Sequence, residues 1–328
     1  MNKLFVASAV ENIYRAYTKE QIGGCKVLSC EEFIENLNQY TDLEYIFSTW
    51  DAPLLSEEQI EKYLPNLKAL FYAGGSAGYF ADAYLNKNVR VFGGWVANAV
   101  PVAEFAVAQI ILANKGYFHG IAQYRKYGYK ASFEMSNNFD GNFKSNIGIL
   151  ELGAISRHVI ELLQQYDVNI YVWSNYMTDA EAKLLNVRKA KTLEEVFEKC
   201  DVISNHLAKR EELRGILNYS LFSKMKKTAA FVNTGRGTEV NEADLVRAMK
   251  EEPLRMALLD VTYPEPTAED SPLWTAENII ISPHRAGAYT KEILRLGEYM
   301  FDEYERVLNS EETKYEITKD MVKILAQR

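Results

Sequence analysis

Residues 146–166 read NIGILELGAISRHVIELLQQY. Ile147–Leu150 has the composition of a buried strand, and a turn around Gly153 leads into Ala154–Tyr166. In that segment Ile155, Val159, Leu162, Leu163 and Tyr166 recur at helical spacing. Strand, glycine turn and helix form the unit that holds a dinucleotide pyrophosphate. The N–H groups of the helix N-terminus point at the anion, and a glycine lets the phosphates come close. The usual unit has three glycines. Here Glu151 stands at the first position, Gly153 at the second and Ser156 at the third. Gly153, Ala154 and Ile155 are therefore the candidate phosphate contacts. Ser156 is small enough for close packing of helix on strand. Glu151 adds bulk to a tight turn and a carboxylate near the expected anion, which like-charge repulsion disfavours. Taken alone, Gly153 also reads as the turn glycine of any parallel α/β domain.

The next strand, Val168–Val172, should be followed by an acid about 20 residues beyond the turn, which grips the ribose hydroxyls of the cofactor. Ser174 stands there instead. Without a carboxylate there is neither a grip on the diol nor repulsion of a 2′-phosphate. Asn175 offers no arginine for such a phosphate. NAD and NADP both remain open, with no preference between them.

Outward from this unit, strand and helix patterns alternate along most of the chain. Lys3–Ser8, Lys26–Leu28, Glu44–Ser48, Ala69–Tyr72 and Arg90–Phe92 read as strands before it. Val202–Asn205, Ala229–Asn233, Met256–Asp260 and Ile279–Ser282 read as strands after it. Ser56 with Gln59 three residues on has the form of a capping box. Asn98–Asn114 reads as one helix capped by Asn98, with Pro101 in its first turn. A long helix from Thr290 to about Leu308 closes the pattern, and the polar tail after it has no clear place. Such alternation predicts parallel sheets covered on both faces. The 328 residues exceed one ordinary core and predict two domains, the second inserted into the first.

The net charge of −8, with lysine and arginine scattered, speaks against nucleic acid or an anionic membrane as partner. Cys25, Cys30 and Cys200 show neither disulfide nor zinc spacing, and no metal is expected. A reducing, cytoplasmic setting fits. The N-terminal apolar run ends at Glu11 and reads as a strand rather than a signal peptide. Ala99–Ala113, broken by Pro101, Glu104 and Gln109, reads as too short and too polar to span a bilayer.

The C-terminal third is more specific. It contains FVNTGRG (231–237), LLDVTYPEP (258–266), SPLW (271–274) and ISPHRAG (281–287). Together these resemble the D-isomer-specific 2-hydroxyacid dehydrogenase family, with support from DVISNH (201–206) and RGILN (214–218). The resemblance implies an α/β protein of two doubly wound parallel-sheet domains, Rossmann-like and flavodoxin-like. A cofactor domain, 100–287, would be inserted into a substrate domain, 1–99 plus 288–328. It also implies hydride transfer between NAD or NADP and a small D-2-hydroxy or 2-keto acid. Arg236 matches the arginine that binds the substrate carboxylate, Glu265 the glutamate that pairs with the catalytic histidine, and His284 that histidine. Asp260 matches an aspartate beside the nicotinamide, and His206, Thr234 and Gly235 match positions along the cofactor. Gly75, Ser76 and Ala77 fall in the substrate loop, where the family's arginine is missing but backbone N–H groups can cradle a carboxylate. Tyr72 and Trp95 would line the altered pocket. A homodimer through the cofactor domain is also implied.

The residue types suit this chemistry. A guanidinium offers a planar fork to a carboxylate. A carbonyl becoming an alkoxide needs a proton, and histidine is poised to give it. A neighbouring carboxylate favours the imidazolium and fixes the ring. Each residue also has a plainer reading: Arg236 as a surface arginine, Glu265 as a solvated acid, His284 as a loop histidine and His206 as packing. His119 and His158 read as structural or surface residues. One alternative is a non-catalytic binding or regulatory protein whose dinucleotide loop has decayed at Glu151 and Ser174. Another is an enzyme of this fold using a formate-type or phosphite-type donor.

Overall fold

The computed structural model describes residues 2–7, 10–14 and 26–322; Cys25 lies outside them. The chain divides into two compact units, Met1–Ala99 with Ala288–Arg328, and Val100–Gly287.

In the first unit, β1 (Lys3–Val6), β2 (Val27–Leu28), β3 (Tyr45–Ser48), β4 (Ala69–Tyr72) and β5 (Arg90–Gly93) are parallel, in the order β2-β1-β3-β4-β5. This is the flavodoxin-like order. The register aligns Phe5 with Phe47, Phe47 with Phe71 and Phe71 with Phe92. Their rings form a stacked ladder with centroids 4.9, 5.0 and 4.9 Å apart. The helix Ile293–Leu308 covers this face with Leu296, Met300, Phe301 and Tyr304. Leu4, Ile46, Leu70 and Val91 point to the opposite core, so the sheet is buried on both faces.

In the second unit, β6 (Asn146–Leu150), β7 (Asn169–Trp173), β8 (Arg188–Lys189), β9 (Val202–Asn205), β10 (Ala230–Asn233), β11 (Met256–Leu259) and β12 (Ile279–Ile281) form a parallel sheet. Its order is β8-β7-β6-β9-β10-β11-β12. The order reverses between β6 and β9, which opens a crevice at their carboxyl ends, where doubly wound sheets bind ligands.

Several boundaries differ from expectation. The helix read from Asn98 begins at Trp95, so Pro101 sits inside it rather than in its first turn. Asn98 is not its cap: its N–H bonds Gly94 O in the helical ladder, and its Oδ1 accepts from Ala288 N at 2.9 Å. At 20 residues this helix is long and apolar enough to cross a membrane by length and composition, contrary to the shorter reading. Half of it is nevertheless buried in the protein's own cores, through residues such as Ala97, Ala103, Ala106 and Ile110. Two shorter helical segments within Tyr117–Ser136, separated by a break at Gly128 with φ 79°, escaped the sequence reading. The polar tail supplies β13 (Glu316–Ile317), antiparallel to β5 and clamped by the Arg90–Glu316 ion pair at 2.6 Å. The capping box at Ser56 and Gln59 is present.

Candidate active site

The carboxyl ends of β10, β11 and β12, three neighbouring strands, carry Arg236, Glu265 and His284 respectively. Glu265 and His284 meet: Nδ1 and Oε1 are 2.5 Å apart. They line a cavity of about 760 Å³ with Asp260, Thr262, Trp274 and Ser282. The His284 and Glu265 side chains are 48% and 41% exposed, so a ligand can reach the pair.

His284 has φ 51°, a left-handed backbone that a residue with a Cβ seldom adopts. Asp260 holds it there. This buried carboxylate accepts from Ser282 Oγ at 2.5 Å, Arg285 N at 2.8 Å and Ala286 N at 2.8 Å, and His284 N donates to Asp260 O at 3.0 Å. Asp260 therefore organises the histidine loop. Its carboxylate is turned into that loop, and the residue lines the cavity beside Glu265 and His284.

The Glu265 loop is tied at both ends. Thr262 Oγ1 lies 2.8 Å from Thr267 Oγ1, and Tyr263 N donates to Glu242 Oε1 at 2.8 Å. Both prolines beside Glu265, Pro264 and Pro266, follow cis peptide bonds.

The glycines flanking Arg236 explain that motif. A Cβ on Gly235 would stand 2.9 Å from Asn205 Nδ2 and 3.0 Å from Leu207 O. One on Gly237 would stand 2.1 Å from the carbonyl carbon of Thr262. Glycine at both positions lets the Arg236 turn press against the ends of β9 and β11. Two amides fix it further. Asn233 accepts from Gly235 N at 3.1 Å and from Asn205 Nδ2 at 3.0 Å, and donates to Arg236 O at 3.1 Å. Asn205 and Asn233 lay inside the quoted motifs, but nothing in the sequence marks a strand-end amide as turning inward. Arg236 Nη1 donates to Gly235 O at 2.7 Å. Glu239 lies buried nearby: burial pushes its carboxyl up, while Thr238's hydrogen bond and Arg236's charge pull it back.

His206 is buried between two hydroxyls, with Ser204 Oγ 2.9 Å from Nε2 and Thr234 Oγ1 3.1 Å from Nδ1. Burial lowers its pKa to about 3, so the ring is neutral. Both nitrogens and the Thr234 hydroxyl are engaged in bonds between strand ends. Gly235 contributes as a close-approach glycine, its N–H already bonded to Asn233.

At the turn after β6, Gly153 is exposed, and a Cβ there would meet nothing within 4 Å. The first turn of the helix Ala154–Leu163 has no acid, and no side chain caps it. This open N-terminus fits a pyrophosphate held by the backbone of Gly153, Ala154 and Ile155. Ser156 is fully buried, as close helix–strand packing requires. Glu151 does not obstruct. At φ 73° its side chain leaves the phosphate path and accepts from Ser174 Oγ at 2.5 Å and Leu152 N at 3.0 Å. The expected repulsion is thereby corrected, and the ground for a decayed loop goes with it.

In the first unit, Gly75 and Ser76 are half-buried after β4, while Ala77 packs into the core with Tyr72 and Phe80. Ala77 can offer a ligand its backbone alone. Tyr72 is 2% exposed and packs in that core. Trp95 packs against the same core. His119 Nε2 donates to Leu254 O and Arg255 O, and His158 pairs with Glu161, both outside the site.

Residues 107–286 match the family described as D-isomer specific 2-hydroxyacid dehydrogenase, NAD binding domain. The chain is 27% identical over 299 residues to D-3-phosphoglycerate dehydrogenase of Methanocaldococcus jannaschii, covering 89% of this chain and 55% of that one. It spans about half the length of the D-3-phosphoglycerate dehydrogenases it matches. A phosphoglycerate oxidoreductase from Rhizobium etli superposes with a TM-score of 0.82 at 19% identity, over 98% of this chain and 99% of that one. D-lactate dehydrogenase with NAD+ from Lactobacillus jensenii gives 0.74 at 18%, over 97% and 100%. Both likenesses show the fold.

Proposed function

The chain belongs to the D-isomer-specific 2-hydroxyacid dehydrogenase family, and from that premise we propose that it interconverts a small D-2-hydroxy acid and its 2-keto acid. The observation that carries this is the His284–Glu265 pair, 2.5 Å apart in a cavity at the carboxyl ends of a dinucleotide-type sheet. A bound nicotinamide dinucleotide supplies or accepts the hydride. The backbone of Gly153–Ile155 would hold its pyrophosphate. His284 exchanges a proton with the substrate oxygen at Nε2, opposite the nitrogen that Glu265 holds. Glu265 fixes the ring through Nδ1, leaving Nε2 for the proton exchange. Arg236 has five N–H donors, of which one is bonded to Gly235 O. The remaining fork suits the substrate carboxylate.

His284→Ala should lower turnover of 2-keto acids about 10²–10⁴-fold while NADH binding, followed by nicotinamide fluorescence, persists. Turnover near that of the parent protein would overturn the assignment.

A homodimer through the second unit also belongs to this reading. Its support is the set of exposed side chains Tyr117, Ile121, Tyr124, Tyr129 and Phe133, carried by the two helical segments on either side of Gly128 and lining an apolar groove of about 600 Å³. The free thiols of Cys30 and Cys200 support a reducing, cytoplasmic setting.

A further inference from the structure

We infer that Glu151 is the carboxylate that grips the adenosine ribose, supplied from the phosphate turn instead of the end of the second strand, and that it selects NAD over NADP. The inference rests on the dehydrogenase reading above and names a residue for its cofactor specificity.

In a dinucleotide fold the ribose acid stands at the tip of the second strand. Here that strand, β7, ends at Trp173, and Ser174 follows without a charge. The structure nevertheless places a carboxylate at this tip. Glu151 adopts φ 73°, a conformation glycine takes readily and a glutamate rarely does. The strained backbone aims the side chain across from the end of β6 to the end of β7, and Oε1 comes within 2.5 Å of Ser174 Oγ. A serine therefore accompanies the relocated acid: an aspartate at 174 would repel Glu151, whereas the hydroxyl donates to it.

Arg210 holds the other oxygen. Its Nη2 lies 3.4 Å from Glu151 Oε2, and both side chains are largely buried, 14% and 13% exposed. Arg210 is itself fixed: Nη1 donates to Tyr176 Oη at 3.1 Å, the guanidinium lies 6.0 Å from that ring's centroid, and Nε is 3.8 Å from Glu212 Oε1. The cation orients the Glu151 carboxylate. A carboxylate has room for about four donors. Ser174, Leu152 and Arg210 fill three places, and a ribose hydroxyl takes the fourth or displaces Ser174.

The same arrangement sets the selectivity. The ribose of NAD offers hydroxyl donors, which a carboxylate accepts. NADP carries a dianionic 2′-phosphate at that place, which Glu151 repels. Arg210 would suit that phosphate, but Glu151 occupies it. Removing the carboxylate frees the arginine.

The test is a fluorescence titration of the full chain with NADH and with NADPH. The parent protein should bind NADH at least tenfold more tightly. Glu151→Gln should weaken NADH binding and tighten NADPH binding, so that the ratio falls to one or inverts. Glu151→Gly, which suits φ 73° and so keeps the turn, should do the same. Adding Ser174→Asp to Glu151→Gly should restore the NADH preference. Equal affinities in the parent, a ratio indifferent to residue 151, or equal tightening of both cofactors in Glu151→Gly would overturn the inference. Those results leave dinucleotide binding intact. Failure of the parent and every variant to bind either cofactor would overturn the dehydrogenase reading as well.

Discussion

His206 shows what a single residue contributes when its neighbours are hydroxyls and apolar walls. Its ring titrates at about 3 in the folded chain, against an ordinary value near 6.5. Above about pH 6.5 the ring is neutral folded and unfolded, and pH has no leverage through it. Between about 6.5 and 3 the unfolded chain takes up a proton that the native chain refuses, so stability falls as the pH falls. The loss should reach roughly 2–3 kcal/mol by about pH 4.5 and at most roughly 5 kcal/mol below about pH 3. Denaturant unfolding of the parent and of His206→Asn across this range measures it: the parent's pH slope should exceed the variant's by up to one proton. Equal slopes would show that the ring ionises in place. At this scale the sequence was informative about residue type and poor about direction. Arginine, glutamate and histidine in those motifs announced acid–base chemistry on a carboxylate-bearing substrate. That Asp260 would brace the histidine loop, and that Glu151 would turn aside to Ser174, depended on two positive-φ residues, Glu151 and His284. A sequence gives no sign of such angles where the residue is not glycine.

Among the elements, the loops after the strands are set by how near one backbone comes to another. Gly237 and Gly153 form a contrasting pair. Gly237→Ala drives a methyl into the Thr262 backbone, 2.1 Å away, and must displace the Arg236 turn. It should cost several kcal/mol of stability, about 2–4, and most of the turnover. Gly153→Ala meets nothing within 4 Å, and its φ of −93° suits alanine. It should leave unfolding midpoints nearly unchanged and weaken nicotinamide-dinucleotide binding about tenfold, because the methyl fills space kept for the phosphates. Thermal unfolding beside a fluorescence titration separates the two, and a stable Gly237→Ala with normal turnover would contradict the close approach. Element type was legible wherever periodicity was long: Ala69–Tyr72 and Val202–Asn205 coincide with the observed strands. It was illegible for β8 and β13, which are two residues each and owe their existence to a neighbour's hydrogen bonds. It was also illegible for Tyr117–Ser136, whose aromatic face points outward.

On the scale of the molecule, both sheets follow from alternation that the sequence displays throughout, and their strand orders follow from right-handed crossovers between consecutive units. What alternation cannot give is which helix meets a second chain. The proposed dimer makes this testable. Tyr129→Asp with Phe133→Asp should lower the mass measured by light scattering from two chains toward one while far-ultraviolet dichroism stays unchanged; an unaltered mass would place the contact elsewhere. The ring ladder Phe5, Phe47, Phe71 and Phe92 has an implication for the protein's birth. All four strands that carry it have been translated by residue 93, but the helix that covers it spans residues 293–308. For roughly two hundred codons the nascent chain lacks that helix, and the sheet face has only the partial cover of Val10, Ile13 and Tyr14. Such surface invites aggregation, so the ribosome-bound intermediate is a natural client for chaperones, and slow translation between the two segments would lengthen its exposure.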